Sequence, residues 1–119
     1  QGLLVPLQAE FFALEGLSQL HKTLERVRAS ANPRLELTGI VLTMFDRRNR
    51  LCELVACDVR DHFGDVVFET VIPRNVRLSE APSHGMPAIV YDPRCSGSEA
   101  YHALAQEYLG RLAPQARAA

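Results

Sequence analysis

Val66-Val67-Phe68-Glu69-Thr70-Val71-Ile72 runs without interruption into Pro73-Arg74-Asn75-Val76-Arg77-Leu78-Ser79-Glu80-Ala81-Pro82-Ser83-His84-Gly85. The first part carries the apolar pattern of a strand. The second is a turn dense in proline, asparagine and arginine, stopped by a second proline and a glycine. Loops at the C-terminal ends of parallel strands are where α/β proteins hold their ligands. A loop of this composition is therefore expected to bind and not only to connect.

The flanking periodicity predicts that the strands are parallel. Leu3-Leu4-Val5 reads as a short buried strand entering at Pro6. Ala13, Leu17, Leu20, Leu24, Val27 and Ala31 step by three and four, an amphipathic helix that Asn32-Pro33 ends. Residues 37–45 form a nearly continuous apolar run, as for a strand covered on both faces. Leu51, Leu54, Val55, Val59 and Phe63 mark a second helix closed by Gly64. Residues 66–72 are then a third strand and 88–91 a fourth. Tyr101, Leu104, Ala105, Tyr108, Leu109 and Leu112 form the stripe of a last helix, and the tail from Ala113 is expected to fray. Strands alternating with helices imply right-handed βαβ units. The expected fold is α/β, three-layered, with a mostly parallel sheet flanked by helices: one unit over residues 1–112 and a tail over 113–119.

Composition bounds the function. At 119 residues the chain is long enough to bury roughly two-thirds of its unfolded surface. Lys+Arg of 13 against Asp+Glu of 14 gives a net charge of −1, so affinity for nucleic acid or membrane must come from a local patch. The longest apolar runs are about seven residues, against ~20 for a bilayer span, and no signal peptide is visible. Three cysteines without C-x-x-C spacing suit a reducing cytosol.

Two constellations bear on chemistry. Asp46-Arg47-Arg48-Asn49-Arg50 stands where the second strand ends and a helix begins. Arginine meets phosphate bidentately and a helix start adds backbone donors, although a solvated turn would read the same way. Thr43-Met44 and Pro73-Arg74-Asn75 are strand-end loops that offer an apolar face and an amide, which suits a purine; Pro and Asn are equally ordinary turn residues. Glu10 reads as a first-turn carboxylate favoured by a helix dipole. Cys52 and Cys57 point roughly 140° apart on a helix, so they read as small packing residues and not a metal pair. The histidines are dispersed, and Ser83-His84 with Glu80 lacks the G-x-S-x-G elbow of a nucleophile. There is no G-x-x-x-x-G-K-[ST] loop, and the seven glycines are scattered.

Residues 70–85 closely resemble the corresponding loop of the ParA/Soj partitioning ATPases, relatives of MinD. Residues 8–20 resemble that family's segment after the strand following Walker B, residues 39–46 its next strand, and Tyr91-Asp92-Pro93-Arg94 with Gly97, Ala100 and Tyr101 its last strand and helix. The likeness runs ungapped from about Leu3 to Leu112. It implies the C-terminal portion of a P-loop NTPase fold, the phosphate loop lying in the family's N-terminal half. It implies a full-length protein that binds ATP and Mg²⁺, forms a homodimer, coats DNA without sequence preference and answers to a ParB-type partner in chromosome or plasmid segregation. Arg48 and Arg77 fall on DNA-binding positions, with Arg47, Arg50 and Arg74 close by; Arg50 stands where the family commonly has Asn. Pro73, Asn75 and Met44 fall on the adenine side, and Glu10 on a position that reaches the nucleotide across the dimer. Gln106 and Met86 replace lysines common among relatives. The expected setting is cytoplasmic and nucleoid-associated, without membrane. On this reading residues 1–119, lacking the phosphate loop, are inactive alone and hold no cofactor. Fragments of a MinD-like membrane-cycling ATPase, or a stand-alone binding module, are the other classes.

Overall fold

The computed structural model describes residues 2–118, with side chains described through Leu112. Strand β1 (Gly2–Gln8) and strand β2 (Glu36–Thr43) pair in parallel, from Gly2 opposite Glu36 to Gln8 opposite Thr43, with one shift between Leu3 and Leu4. Helix α1 (Ala13–Ser30) makes the crossover and buries Ala13, Leu17 and Leu24, as its three-and-four spacing requires. Helix α2 (Arg50–Phe63) follows β2. Its first turn is capped by Asn49, whose Oδ1 accepts from the Leu51 amide at 2.9 Å. Gly64 ends it at φ +58°, a conformation that costs glycine nothing.

The expected third strand is not continuous. A 3₁₀ turn (Gly64–Val66) leads into an extended segment that meets β2 at one parallel bridge, Ile40 with Val67, and the loop just beyond β2 at another, Phe45 with Pro73. The Phe68 amide donates to the Ile40 carbonyl at 2.8 Å. In a regular parallel ladder the Thr70 amide would take the next acceptor, Leu42. The Ile72 amide takes it instead, at 2.8 Å, so two extra residues bulge out. Their amides go to another layer: the Glu69 and Thr70 N–H groups and the Thr70 hydroxyl all donate to the Glu107 carboxylate, at 2.8, 2.9 and 2.7 Å.

Beyond the turn lie helix α3 (Val76–Glu80), a 3₁₀ turn (Ala81–His84), helix α4 (Ala88–Tyr91) and helix α5 (Ser96–Ala118). Residues 88–91, expected as a strand, are a single helical turn. The Val90 and Tyr91 amides donate to the Pro87 carbonyl and the Asp92 amide to that of Ala88. The buried Ser98 hydroxyl bonds the Ala88 and Asp92 carbonyls at 3.0 and 2.6 Å. These bonds satisfy within the turn what a strand would need a neighbour to satisfy. The bounds of α5 extend into the tail expected to fray, where side chains lie outside the described residues.

Alternation along β2 sets the layers. Ile40 and Leu42 face Ala13 and Leu17 of α1 and Val55, Ala56 and Val59 of α2. Val41 faces the other way, with Phe68, Ile72 and Leu104 of α5. The expected three-layer α/β arrangement is the one observed, with β2 central and β1 at an edge among the described residues. Helix α5 turns a different face inward from the one its apolar stripe predicts. It packs through Gly97, Ala100, Leu104, Glu107 and Arg111, and leaves Tyr101, Tyr108, Leu109 and Leu112 exposed.

Candidate functional site at the C-terminal edge of the sheet

Parallel pairing brings three loops to one edge: residues 9–12 after β1, 44–49 after β2, and 73–75 after the third extended segment. Backbone bonds join them. The Ala9 amide donates to the Thr43 carbonyl at 3.1 Å, Phe45 to Ile72 at 3.0 Å and Arg74 to Phe45 at 3.0 Å. The Cys52 thiol, buried at the start of α2, reaches the Ala9 carbonyl at 3.4 Å. Cys57, expected to pack like Cys52, is exposed.

Met44 is the strained residue of this edge. Its φ of +53° makes it the one non-glycine residue in the left-handed region among those described. It stands between two clefts. One, of about 310 Å³, is lined by Met44, Pro73 and Asn75 with Thr43, Leu78 and Tyr101. The other, of about 390 Å³, brings Glu10 and Met44 together with Asp46, Asn49 and Arg74. The four residues assigned to the nucleotide thus share one region. Asn75 is also engaged locally: its Oδ1 accepts from the Arg77 amide at 2.9 Å, capping α3, and its Nδ2 donates to Ser96 Oγ at 2.6 Å. Its side chain therefore serves the turn in this conformation.

The arginines divide. Arg47, Arg48 and Arg74 line one groove of about 710 Å³ between the 45–48 and 69–74 segments and the first turns of α5. Glu69 and Glu99 line the same groove. Asp46 holds the loop: its Oδ1 accepts from the Arg48 amide at 3.0 Å and from Arg48 Nε at 3.3 Å. The backbone bond from Arg48, and then its guanidinium, keep the Asp46 carboxyl below the usual carboxylate range. The Arg48 side chain is nonetheless 92% exposed, open to an external anion. Arg50 is the exposed first residue of α2. Arg77 stands apart, its Nη1 3.1 Å from Glu80 Oε2 and its Nε 3.4 Å from Asp92 Oδ2. Sequence reasoning missed Glu80, Tyr91 and Asp92 as partners of Arg77; Glu80 at i+3 on a short helix was the available signal.

The clefts suit the base of a nucleotide, with an apolar wall of Met44 and Pro73 beside polar atoms. They offer neither a nest of backbone amides with a lysine for phosphates nor, among the described residues, a group of three or more His, Cys, Asp or Glu side chains that could hold a metal.

Comparison with known proteins gives the family. Residues 3–88 match the CobQ/CobB/MinD/ParA nucleotide binding domain. The chain is 64% identical over 110 residues to the chromosome partitioning protein ParA of Caulobacter vibrioides, covering 92% of this chain and 41% of that protein. It is 52% identical over 112 residues to the chromosome-partitioning ATPase Soj of Thermus thermophilus, covering 94% and 45%. It spans less than half the length of these relatives. Among solved structures it is similar to the cobyrinic acid a,c-diamide synthase of Mycobacterium smegmatis with a bound ATP analog and magnesium, with a TM-score of 0.64 and 30% identity over 84% of this chain and 35% of the other.

Proposed function

The chain belongs to the CobQ/CobB/MinD/ParA nucleotide-binding domain family, and on that premise we propose that it forms the base-binding and DNA-facing part of a ParA/Soj-type partitioning ATPase. Arg47, Arg48 and Arg74 on one groove, next to the clefts at Met44, are the observation that carries this reading. Met44 and Pro73 would flank the base, with Asn75 at its polar edge. Glu10 would face the nucleotide of a second copy. Bound ATP with Mg²⁺ supplies the hydrolysable phosphoanhydride, whose contacts lie outside these residues. Arg47, Arg48 and Arg74, with Arg50 and Arg77 at the margins, would meet the duplex backbone without reading bases. A homodimer would present the patch twice, and a ParB-type partner would govern release during segregation of a chromosome or plasmid. The protein would then be cytoplasmic and nucleoid-associated. No helix of the described residues is long and apolar enough to cross a membrane.

The test is a salt titration of DNA binding by the intact protein with ATP and Mg²⁺. Each lost phosphate contact removes about 0.9 from the slope of log K against log salt. Arg48→Ala is expected to weaken binding on all sequences alike and to flatten the slope by roughly one such contact, leaving ATP binding unchanged. An unchanged affinity and slope in a folded Arg48→Ala protein would make the groove an ordinary solvated surface.

A further inference from the structure

We infer that Glu80 and Asp92 compete with DNA phosphate for Arg77, so that this guanidinium joins the nucleic-acid surface by giving up internal partners. The inference rests on the DNA reading proposed above. In the groove at the 46–48 loop, Arg47, Arg48 and Arg74 are matched by Asp46, Glu69 and Glu99, and the Arg48 side chain is 92% exposed. At Arg77 the carboxylates outnumber the cation: one guanidinium stands between Glu80 at 3.1 Å and Asp92 at 3.4 Å, a local charge of −1. A phosphate approaching Arg77 meets both carboxylates as well.

The arrangement is built, not incidental. The Tyr91 hydroxyl donates to the same Glu80 Oε2 at 2.8 Å, and the His84 ring stacks on Tyr91 with centroids 4.8 Å apart at 22°. These contacts hold Glu80 against Arg77. The Tyr91 bond, and then that from Arg77, hold the Glu80 carboxyl below its usual range, so it is charged at neutral pH. Asp92 is placed by the α4 turn, whose end the buried Ser98 hydroxyl secures. The Arg77 side chain is nevertheless 53% exposed, so a phosphate can reach it. Carboxylate and phosphate offer a guanidinium the same bidentate geometry, and exposed ion pairs are weak enough to exchange. Glu80 and Asp92 thereby lower DNA affinity without removing the contact.

The experiment is a cycle measured on the intact protein with ATP and Mg²⁺, using a random-sequence duplex at several salt concentrations. Its members are the wild type, Arg77→Ala, the Glu80→Gln/Asp92→Asn double variant, and all three substitutions together. The double variant is expected to bind DNA about threefold to tenfold more tightly, roughly the ratio that two exposed ion pairs represent. Arg77→Ala should then cost more affinity in that background than in the wild type. Additive effects, or looser binding by the double variant, overturn the competition. Arg48→Ala in the same assay separates the two levels. If it weakens binding while the Arg77 cycle is additive, only the competition fails; if it too is silent, the DNA reading fails. A measurement without DNA closes the remaining gap: exchange of the Arg77 Nε–H with solvent, followed by NMR, should be slowed in the wild type and fast in the double variant. Equally fast exchange in both removes the internal partners and the inference with them.

Discussion

A Cβ added to Gly39 would stand 2.1 Å from Phe68 Cε2 and 2.8 Å from its Cζ. Phe68 is fully buried under the Arg111 guanidinium, which lies 3.9 Å from the ring centroid, so the ring has nowhere to retreat. Gly39→Ala is expected to destabilise the fold by about 1–3 kcal/mol, read as a lower urea midpoint at unchanged slope. Asn49→Ala removes a cap and not packing, and should cost about 1 kcal/mol in the same measurement. Asn49 differs from Gly39 and Met44 in legibility. An Asn before a helix announces itself, whereas nothing in Thr43-Met44-Phe45 signals a left-handed residue. Its φ follows from the bonds on either side, Thr43 to Ala9 and Phe45 to Ile72.

At the scale of elements, the third segment and α5 are joined by one carboxylate. Burial pushes the Glu107 carboxyl up. The Thr70 hydroxyl, the Thr70 and Glu69 amides and Arg111 outweigh it, and the net shift is downward from 4.5. A carboxylate depressed in the folded state contributes stability that is fully present above its unfolded pKa and lost as pH falls through the folded one. Stability of the chain should therefore decline below about pH 4.5 with a contribution that Glu107→Ala abolishes. At neutral pH that variant leaves two amides without their acceptor and should lose about 1–3 kcal/mol. Thermal unfolding of both proteins across pH 3–7 checks this, and parallel pH curves would refute it. Arg111 completes the join by donating to the Val66 and Val67 carbonyls at 3.2 and 3.1 Å. In the sequence Glu107 and Arg111 lie on what reads as the solvated side of the helix, so neither the bulge nor the inward face of α5 was legible.

For the molecule as a whole, the apolar surface left open is the informative quantity. β1 pairs along one side among the described residues, and Leu4 is 41% exposed. Ile89 and Val90 on α4 and Tyr101, Leu109 and Leu112 on α5 are exposed too. Unpaired strand edges and apolar patches of this kind drive association. Residues 1–119 produced alone are expected to self-associate in sedimentation at rising concentration; a stable monomer at high concentration would count against it. The same preparation should neither hydrolyse ATP nor bind it tightly, because the chain carries no phosphate loop. Micromolar, Mg²⁺-dependent ATP binding by calorimetry is the result that would refute this.

Periodicity alone determined the layer order, the two crossover helices, the covered central strand and the loops at one edge, because burial on one or both faces writes itself into spacing at short range. The resemblance to the ParA/Soj loops, and not periodicity, grouped Met44, Pro73, Asn75 and Glu10, and the run of arginines after the second strand drew attention to Arg47 and Arg48. Only the tertiary structure decided the broken third strand, the helical turn at 88–91, the face α5 turns inward and the partners of Arg77. Each of those depends on which distant group reaches a backbone amide or a guanidinium first. Glu107 meets Thr70 across 37 residues and Tyr91 meets Glu80 across 11, and no local pattern encodes such distances.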